Sequence, residues 1–191
     1  MRRLIFIFAL SLLAACSQQA RFNSTDITGA DFGSDFALTD HHGKSRHMED
    51  FRGKVVVMFF GYTQCPDVCP TNLSALAAVM KQLGTDADRV QVLFVTLDPE
   101  RDTASLLASY VPAFHPTFLG LLGTAAETAA TAKSFKVFYQ KQPGSNPKSY
   151  TIDHSTGSYV FDPKGRLRLY VTHNQKVEIT TEDIKRLLSG S

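Results

Sequence analysis

The sequence predicts an α/β fold with two parallel strands at its centre, on three observations. Two continuous apolar runs, residues 55–60 and 90–97, have the length and β-branched content of strands buried on both faces. Each is followed by apolar residues at helical spacing: Leu73, Leu76, Ala77, Met80 and Leu83 after the first, Leu106, Leu107 and Tyr110 after the second. Near the carboxyl end, two short apolar arms flank a Pro/Gly turn and lead into a last amphipathic stretch, the pattern of a β-hairpin and a helix.

Taken in order, residues 1–15 read as a leader. Arg2 and Arg3 make a basic start, and residues 4–13 are apolar but too short to span a bilayer. The stretch ends in Leu13, Ala14, Ala15 and Cys16, which resembles a bacterial lipobox and implies cleavage before Cys16 and lipid attachment to its sulfur. An ordinary secretory leader is the alternative, and it leaves an odd third thiol in an exported protein. This reading puts the chain in a bacterial cell envelope, lipid-anchored to a membrane with its domain in the periplasm, inner or outer membrane left open. Residues 16–33 are polar with little periodicity and are expected to be a lipidated N-terminus and flexible tether. Residues 34–191 are expected to form one domain.

Within that domain, Asp40, His41, His42 and Gly43 read as a hairpin turn between 36–39 and 46–48. The first buried strand is 55–60. The helix after it is expected to start near Pro70, whose fixed φ suits a first helical position, and Gly84 ends it. A strand at 90–97, a helix at 103–114 and a short strand at 118–122 follow. An Ala-rich helix spans 124–135, capped by Thr124 with Glu127 three residues on. Residues 142–149, with Pro143, Gly144 and Pro147, are expected to be a loop. Residues 150–154 then lead into a hairpin whose arms, 158–161 and 167–171, join through Asp162, Pro163, Lys164 and Gly165; a helix to Leu188 closes the chain. The sum is a thioredoxin-like fold with an N-terminal β-hairpin extension and a C-terminal β-hairpin plus helix.

Charge narrows the function. The 191 residues carry 20 basic and 18 acidic side chains, and removing residues 1–15 leaves 18 of each. A domain without net positive charge and without a phosphate-cradling Gly loop is not built to hold nucleic acid.

The chemistry concentrates at Cys65 and Cys69, in the turn between the first buried strand and its helix. Ligands of open α/β sheets bind at the carboxyl ends of the strands. Residues four apart on a helix have Cβ atoms ~5–6 Å apart on one face. Two sulfurs on one metal, each at ~2.3 Å as for zinc, lie roughly 4 Å apart; a disulfide needs Cβ atoms ~3.5–4.5 Å apart. An irregular turn can therefore chelate a metal or close into a disulfide, and a following helix dipole favours thiolate over thiol.

Four stretches together resemble the Sco/SenC family of thioredoxin-like copper chaperones of respiratory oxidase assembly. They are residues 50–54, residues 61–70 with the Cys-x-x-x-Cys-Pro element, residues 98–103 (Asp98, Pro99, Glu100, Arg101, Asp102, Thr103), and Asp153, His154 and Ser155. The likeness runs from about Phe36 to the end of the chain. It implies copper held by Cys65, Cys69 and His154, and delivery of that copper to the dinuclear centre of cytochrome c oxidase subunit II. As the alternative, it implies keeping that centre's cysteines reduced, with Cys65 and Cys69 as a redox pair served by a thiol reductant. Two thiolates and an imidazole are a soft set that favours Cu(I), while the imidazole leaves Cu(II) open; zinc accepts the same ligands, usually with a fourth.

From periodicity alone His154 reads as a buried or turn histidine; the resemblance makes it a ligand. Asp98 is expected either to cap the following helix or to steady a ligand. Asp153 is a candidate for steadying a ligand too. Asp67, between the thiols, is expected to be exposed, meeting a partner or capping its helix. Arg101 and Asp102 read as a surface pair or cap. His41, His42 and His47 depart from the family pattern and read as solvated loop histidines, with a weak second metal site as the alternative. A peroxidase reading wants Pro and Thr seven and three residues before Cys65, where Met58 and Tyr62 stand.

Overall fold

The structure is a computed structural model that describes residues 22–145 and 149–190. The leader and Cys16 lie outside the described residues.

The strands are β1 (Thr25–Asp26), β2 (Leu38–Asp40), β3 (Ser45–Arg46), β4 (Val55–Gly61), β5 (Val90–Thr96), β6 (Leu119–Leu122), β7 (Tyr139–Pro143), β8 (Tyr150–His154), β9 (Ser158–Phe161) and β10 (Leu167–Val171). The helices are α1 (Val68–Leu83), α2 (Ala104–Tyr110), α3 (Ala125–Ser134) and α4 (Val177–Leu188). Eight strands form one mixed sheet in the order β1-β10-β9-β4-β5-β6-β2-β3, while β7 and β8 pair only with each other. At its centre β4, β5 and β6 run parallel, and β9 lies antiparallel to β4. The thioredoxin-like α/β arrangement and both hairpins are as the sequence predicts.

Every residue of β4 is buried because the sheet is covered on both faces. Val55, Val57 and Phe59 face a core with Leu73, Leu76 and Met80 of α1 and Ile184 and Leu187 of α4. The alternate residues, Val56, Met58 and Phe60, face Phe135, Val137, Tyr159 and Phe161 on the side of α3. Period-two alternation between two apolar layers is what turns a strand into a continuous apolar run.

Several boundaries move. Helix α1 begins at Val68, two residues before Pro70. The first four amides of a helix have no intrahelical acceptor, so a proline in that turn sacrifices no hydrogen bond. Helix α2 ends at Tyr110, before Pro112, and is capped by Thr103, whose Oγ1 accepts from Leu106 N–H at 3.2 Å. The capping box of α3 forms as expected, with Thr124 N–H donating to Glu127 Oε2 at 2.7 Å.

Two strands have no counterpart in the sequence reading. Strand β7 is polar and largely exposed, so no apolar alternation marks it. The other corrects the tether, whose described part is docked. Thr25 pairs with Tyr170. Ser24 donates from N–H and Oγ to the buried Asp183 Oδ2 at 2.7 and 2.6 Å. Hydrogen bonds and a few irregularly spaced apolar residues, Phe22, Ile27, Ala30 and Phe32, hold this segment, and neither leaves a hydrophobic period to read.

Phe135 is fully buried against Phe60, Tyr159 and Phe161, on the face away from α1. Phe135→Ala is expected to lower stability by about 3–5 kcal/mol in denaturant unfolding, with the reactivity of Cys65 unchanged in the folded fraction.

Candidate metal centre

Strand β4 ends at Gly61, whose carbonyl accepts from Leu97 N–H at 2.8 Å, fixing the turn above the carboxyl ends of β4 and β5. Glycine is required there by close approach: a Cβ would stand 2.8 Å from Cys69 Sγ and 2.9 Å from Phe94. Cys65 is half-buried in the turn; Cys69 is fully buried in the first turn of α1. Cys69 N–H points back at Cys65 Sγ, 3.4 Å away, so an amide of the helix start serves the first sulfur.

His154 ends β8, beside the thiols. Its Nε2 is 3.5 Å from Cys69 Sγ, and its Nδ1 is 2.8 Å from the carbonyl of Ser155. A carbonyl only accepts, so Nδ1 carries the hydrogen and donates it. The neutral ring then presents its Nε2 lone pair to the sulfurs, the tautomer a metal ligand needs. Phe59 and Tyr62 wall the imidazole at centroid distances of 6.2 and 6.0 Å. The ligand atoms of Cys65, Cys69 and His154 lie within 4.8 Å of one another, and no other such group of three or more occurs among the described residues. The donor set fits a soft, low-coordinate metal.

The two sulfurs differ in charge. A hydrogen bond from the Cys69 thiol pulls Cys65 down to about 5, against burial and with help from the amides of Asp67 and Cys69. The same hydrogen bond, together with burial, pushes Cys69 far up. One thiolate faces outward and one thiol faces inward.

The surroundings correct several expectations. Asp98 is fully buried and caps nothing. Its carboxylate takes a hydrogen bond from Tyr150 OH at 2.6 Å and pairs with Arg101 Nε. Asp102 is no surface residue: it accepts from Thr63 N–H and Oγ1 at 3.0 and 2.6 Å and from Thr96 Oγ1 at 2.6 Å, binding the Cys65 turn to β5. Burial raises the Asp102 pKa, opposed by these donors. Asp67 is exposed, as expected, but its side chain caps no helix amide; its Oδ1 accepts from Thr71 Oγ1 at 3.4 Å. Asp153 is exposed and accepts from Gln142 Nε2 at 2.8 Å across the β7–β8 ladder.

His41 is buried, not a solvated loop residue. Its Nδ1 accepts from Gly120 N–H at 3.0 Å, so in the neutral ring Nε2 carries the hydrogen and donates to His42 Nε2, also at 3.0 Å. A metal would have to displace that proton. His47 N–H binds Asp50 Oδ2 at 2.9 Å, at the start of a short 3-10 turn.

A thioredoxin-like sheet with two sulfurs at the carboxyl end of a central parallel strand, and an imidazole brought beside them, belongs to the class of thiol-bearing proteins whose site could hold a metal. The model of the SCO1/SenC family matches residues 24–189, and the chain belongs to that family. The mitochondrial SCO2 homolog of Bos taurus is 41% identical over 158 residues, 82% of this chain and 59% of that protein, so the chain spans under two thirds of that relative. Copper-bound ScoI of Bradyrhizobium japonicum is 38% identical with a TM-score of 0.74, over 80% of this chain and 97% of that one. BsSco, described with a disulfide switch and as a member of the Sco family of cytochrome c oxidase assembly proteins, shares the fold at a TM-score of 0.67 and 20% identity, over 91% of this chain and all of that one.

These relatives correct the bacterial-envelope and periplasmic location read from the leader. The SCO2 homologs of Bos taurus, Mus musculus and Homo sapiens are mitochondrial, beside a SCO2-like protein of Rickettsia felis. Membership of the family therefore carries no bacterial address, and the leader lies outside the described residues. Among the described residues no helix is long and apolar enough to cross a membrane.

In the reduced, metal-free protein, iodoacetamide is expected to label Cys65 ahead of Cys69. Cys65 is lowered, so its thiolate form, and with it the labelling rate, should rise through about pH 5 and level off above it. Peptide mass spectrometry across pH checks this; a rise delayed to about pH 8.5, as for a free cysteine, would count against the asymmetry.

Proposed function

We propose that this chain is a copper-binding assembly factor that carries copper on Cys65 Sγ, Cys69 Sγ and His154 Nε2 to the dinuclear centre of cytochrome c oxidase subunit II. The observation that carries the reading is the convergence of those three donor atoms within 4.8 Å, with the imidazole tautomer already set for ligation. Membership of the SCO1/SenC family and the copper in a 38% identical relative support it.

Copper is cargo here. The half-exposed Cys65 thiolate offers the first contact. Cys69 yields its proton as its sulfur takes the metal, and His154 completes a three-coordinate set. Softness of the two sulfurs favours Cu(I). The side without a ligand is where a donor atom of the receiving protein attacks, so transfer needs no prior dissociation.

X-ray absorption of the copper-loaded protein is expected to count two sulfur neighbours and one nitrogen, and His154→Ala to lose the nitrogen. Cys65→Ser and Cys69→Ser should each abolish tight binding. A His154→Ala protein with an unchanged spectrum would refute the third ligand.

The charge asymmetry of the thiols favours a second reading, thiol–disulfide exchange on an oxidised copper-site pair in the receiving protein. The Cys65 thiolate attacks one sulfur of the partner's disulfide and expels the other as thiolate. Cys69, its proton passing to the thiolate just expelled, then attacks Cys65 Sγ of the mixed disulfide and expels the partner's second sulfur. The partner leaves with two reduced cysteines, Cys65–Cys69 leaves oxidised, and a thiol reductant restores the pair. This path does not use His154. Cells carrying His154→Ala are expected to fail in oxidase assembly if copper transfer is the role, and to succeed if reduction is; oxidase activity measures which.

A further inference from the structure

The two halves of the metal centre come from segments with little direct bonding between them. The thiols sit on the turn after β4; the imidazole ends β8, which pairs only with β7 and lies outside the main sheet. Something must hold that small hairpin at chelating distance.

Arg101 touches both halves. Its Nη1 donates to Gln64 Oε1 at 3.2 Å, on the residue before the first thiol. The same nitrogen donates to the carbonyl of Tyr150 at 3.0 Å, on the first residue of the strand that ends in His154. The guanidinium also stacks on the Tyr150 ring, 3.5 Å from its centroid. Asp98 fixes the fork from behind: it pairs with Nε and takes the Tyr150 hydroxyl at 2.6 Å. The hairpin has other links. Lys141 pairs with Glu100 at 2.7 Å on the exposed surface, where ion pairs contribute little. Ile152 N–H donates to Tyr62 OH at 3.2 Å in a buried bond between neutral groups, whereas the Arg101 bonds carry a charge.

We infer that Arg101 is a positioning residue for the copper site, locked by Asp98 and holding the Cys65 turn and the His154 strand at ligating distance; this rests on the three-ligand reading above. A planar fork can stack on a ring and donate in its own plane at once, whereas an ammonium is a point charge that cannot do both. Lysine is therefore not expected to substitute.

The test uses the full chain with Arg101→Ala and Arg101→Lys, read by copper X-ray absorption and by chelator competition for Cu(I). Both variants are expected to keep two sulfur neighbours, to lose the nitrogen neighbour, and to hold copper about 10- to 100-fold less tightly, the usual effect of removing a group that orients a ligand. Amide hydrogen exchange across residues 150–154 of the metal-free protein should quicken in both. Arg101→Lys keeps a cation for the buried Asp98, so it decides alone if Arg101→Ala does not fold. A folded variant with the wild-type spectrum, affinity and exchange would overturn the assignment. If wild-type copper shows no nitrogen that His154→Ala removes, the ligand reading fails instead, while exchange in the metal-free protein still judges the clamp.

Discussion

Everything about this site depends on one approach, that of Cys69 Sγ to His154 Nε2 at 3.5 Å across 85 residues of chain. Closing a loop of that length by itself costs on the order of 4 kcal/mol in chain entropy, more than one sulfur–nitrogen contact supplies. The sheet closes it instead. Strand β9, which begins four residues after His154, is laddered antiparallel to β4, which delivers the thiols. The backbone pairing that makes the fold also brings the three candidate donor atoms together.

The same strand sets the electrostatics. Strand β4 ends at Gly61 and a short turn, residues 62–67, leads into α1, with Cys65 in the turn and Cys69 in the first helical turn. Amides at a helix start lack intrahelical acceptors and favour negative charge. Proline in that turn leaves one fewer amide to satisfy. Cys65 thus takes the charge, while Cys69, packed over Gly61 and Phe94 with no room for a Cβ on that glycine, keeps its proton.

How much of this was legible in the sequence follows from what holds each part. Strands β4, β5, β9 and β10 and helices α1 and α3 are held by apolar burial or by a local cap, and both leave a period or a motif. The thiol pair was legible by spacing and by its position after a buried run. His154 was not: a single histidine in a polar strand carries no periodicity, and only its likeness to a family pattern marked it. Arg101 and Asp102 were misjudged as surface residues because burial of a charged group depends on its partners. Those partners, Tyr150 and Gln64 for one and Thr63 and Thr96 for the other, meet only in three dimensions. Strand β1 and the docked 22–33 segment were missed for a related reason: hydrogen bonds to a buried Asp183 leave no trace in hydropathy, and the apolar residues that pack beside them, Phe22, Ile27, Ala30 and Phe32, follow no regular period.

The two chemistries open to the site meet at the Cys69 proton. Metal-free, the pair is one thiolate and one thiol sharing a hydrogen bond, the state that attacks a disulfide. In the proposed copper complex both sulfurs are bare, so the metal's charge takes the place of that proton between Cys69 and Cys65. Oxidation removes the same lone pairs that copper would use. If these atoms hold copper as proposed, metal binding and disulfide formation exclude each other there, and returning the thiols to the reduced form is also what would make them able to take the metal.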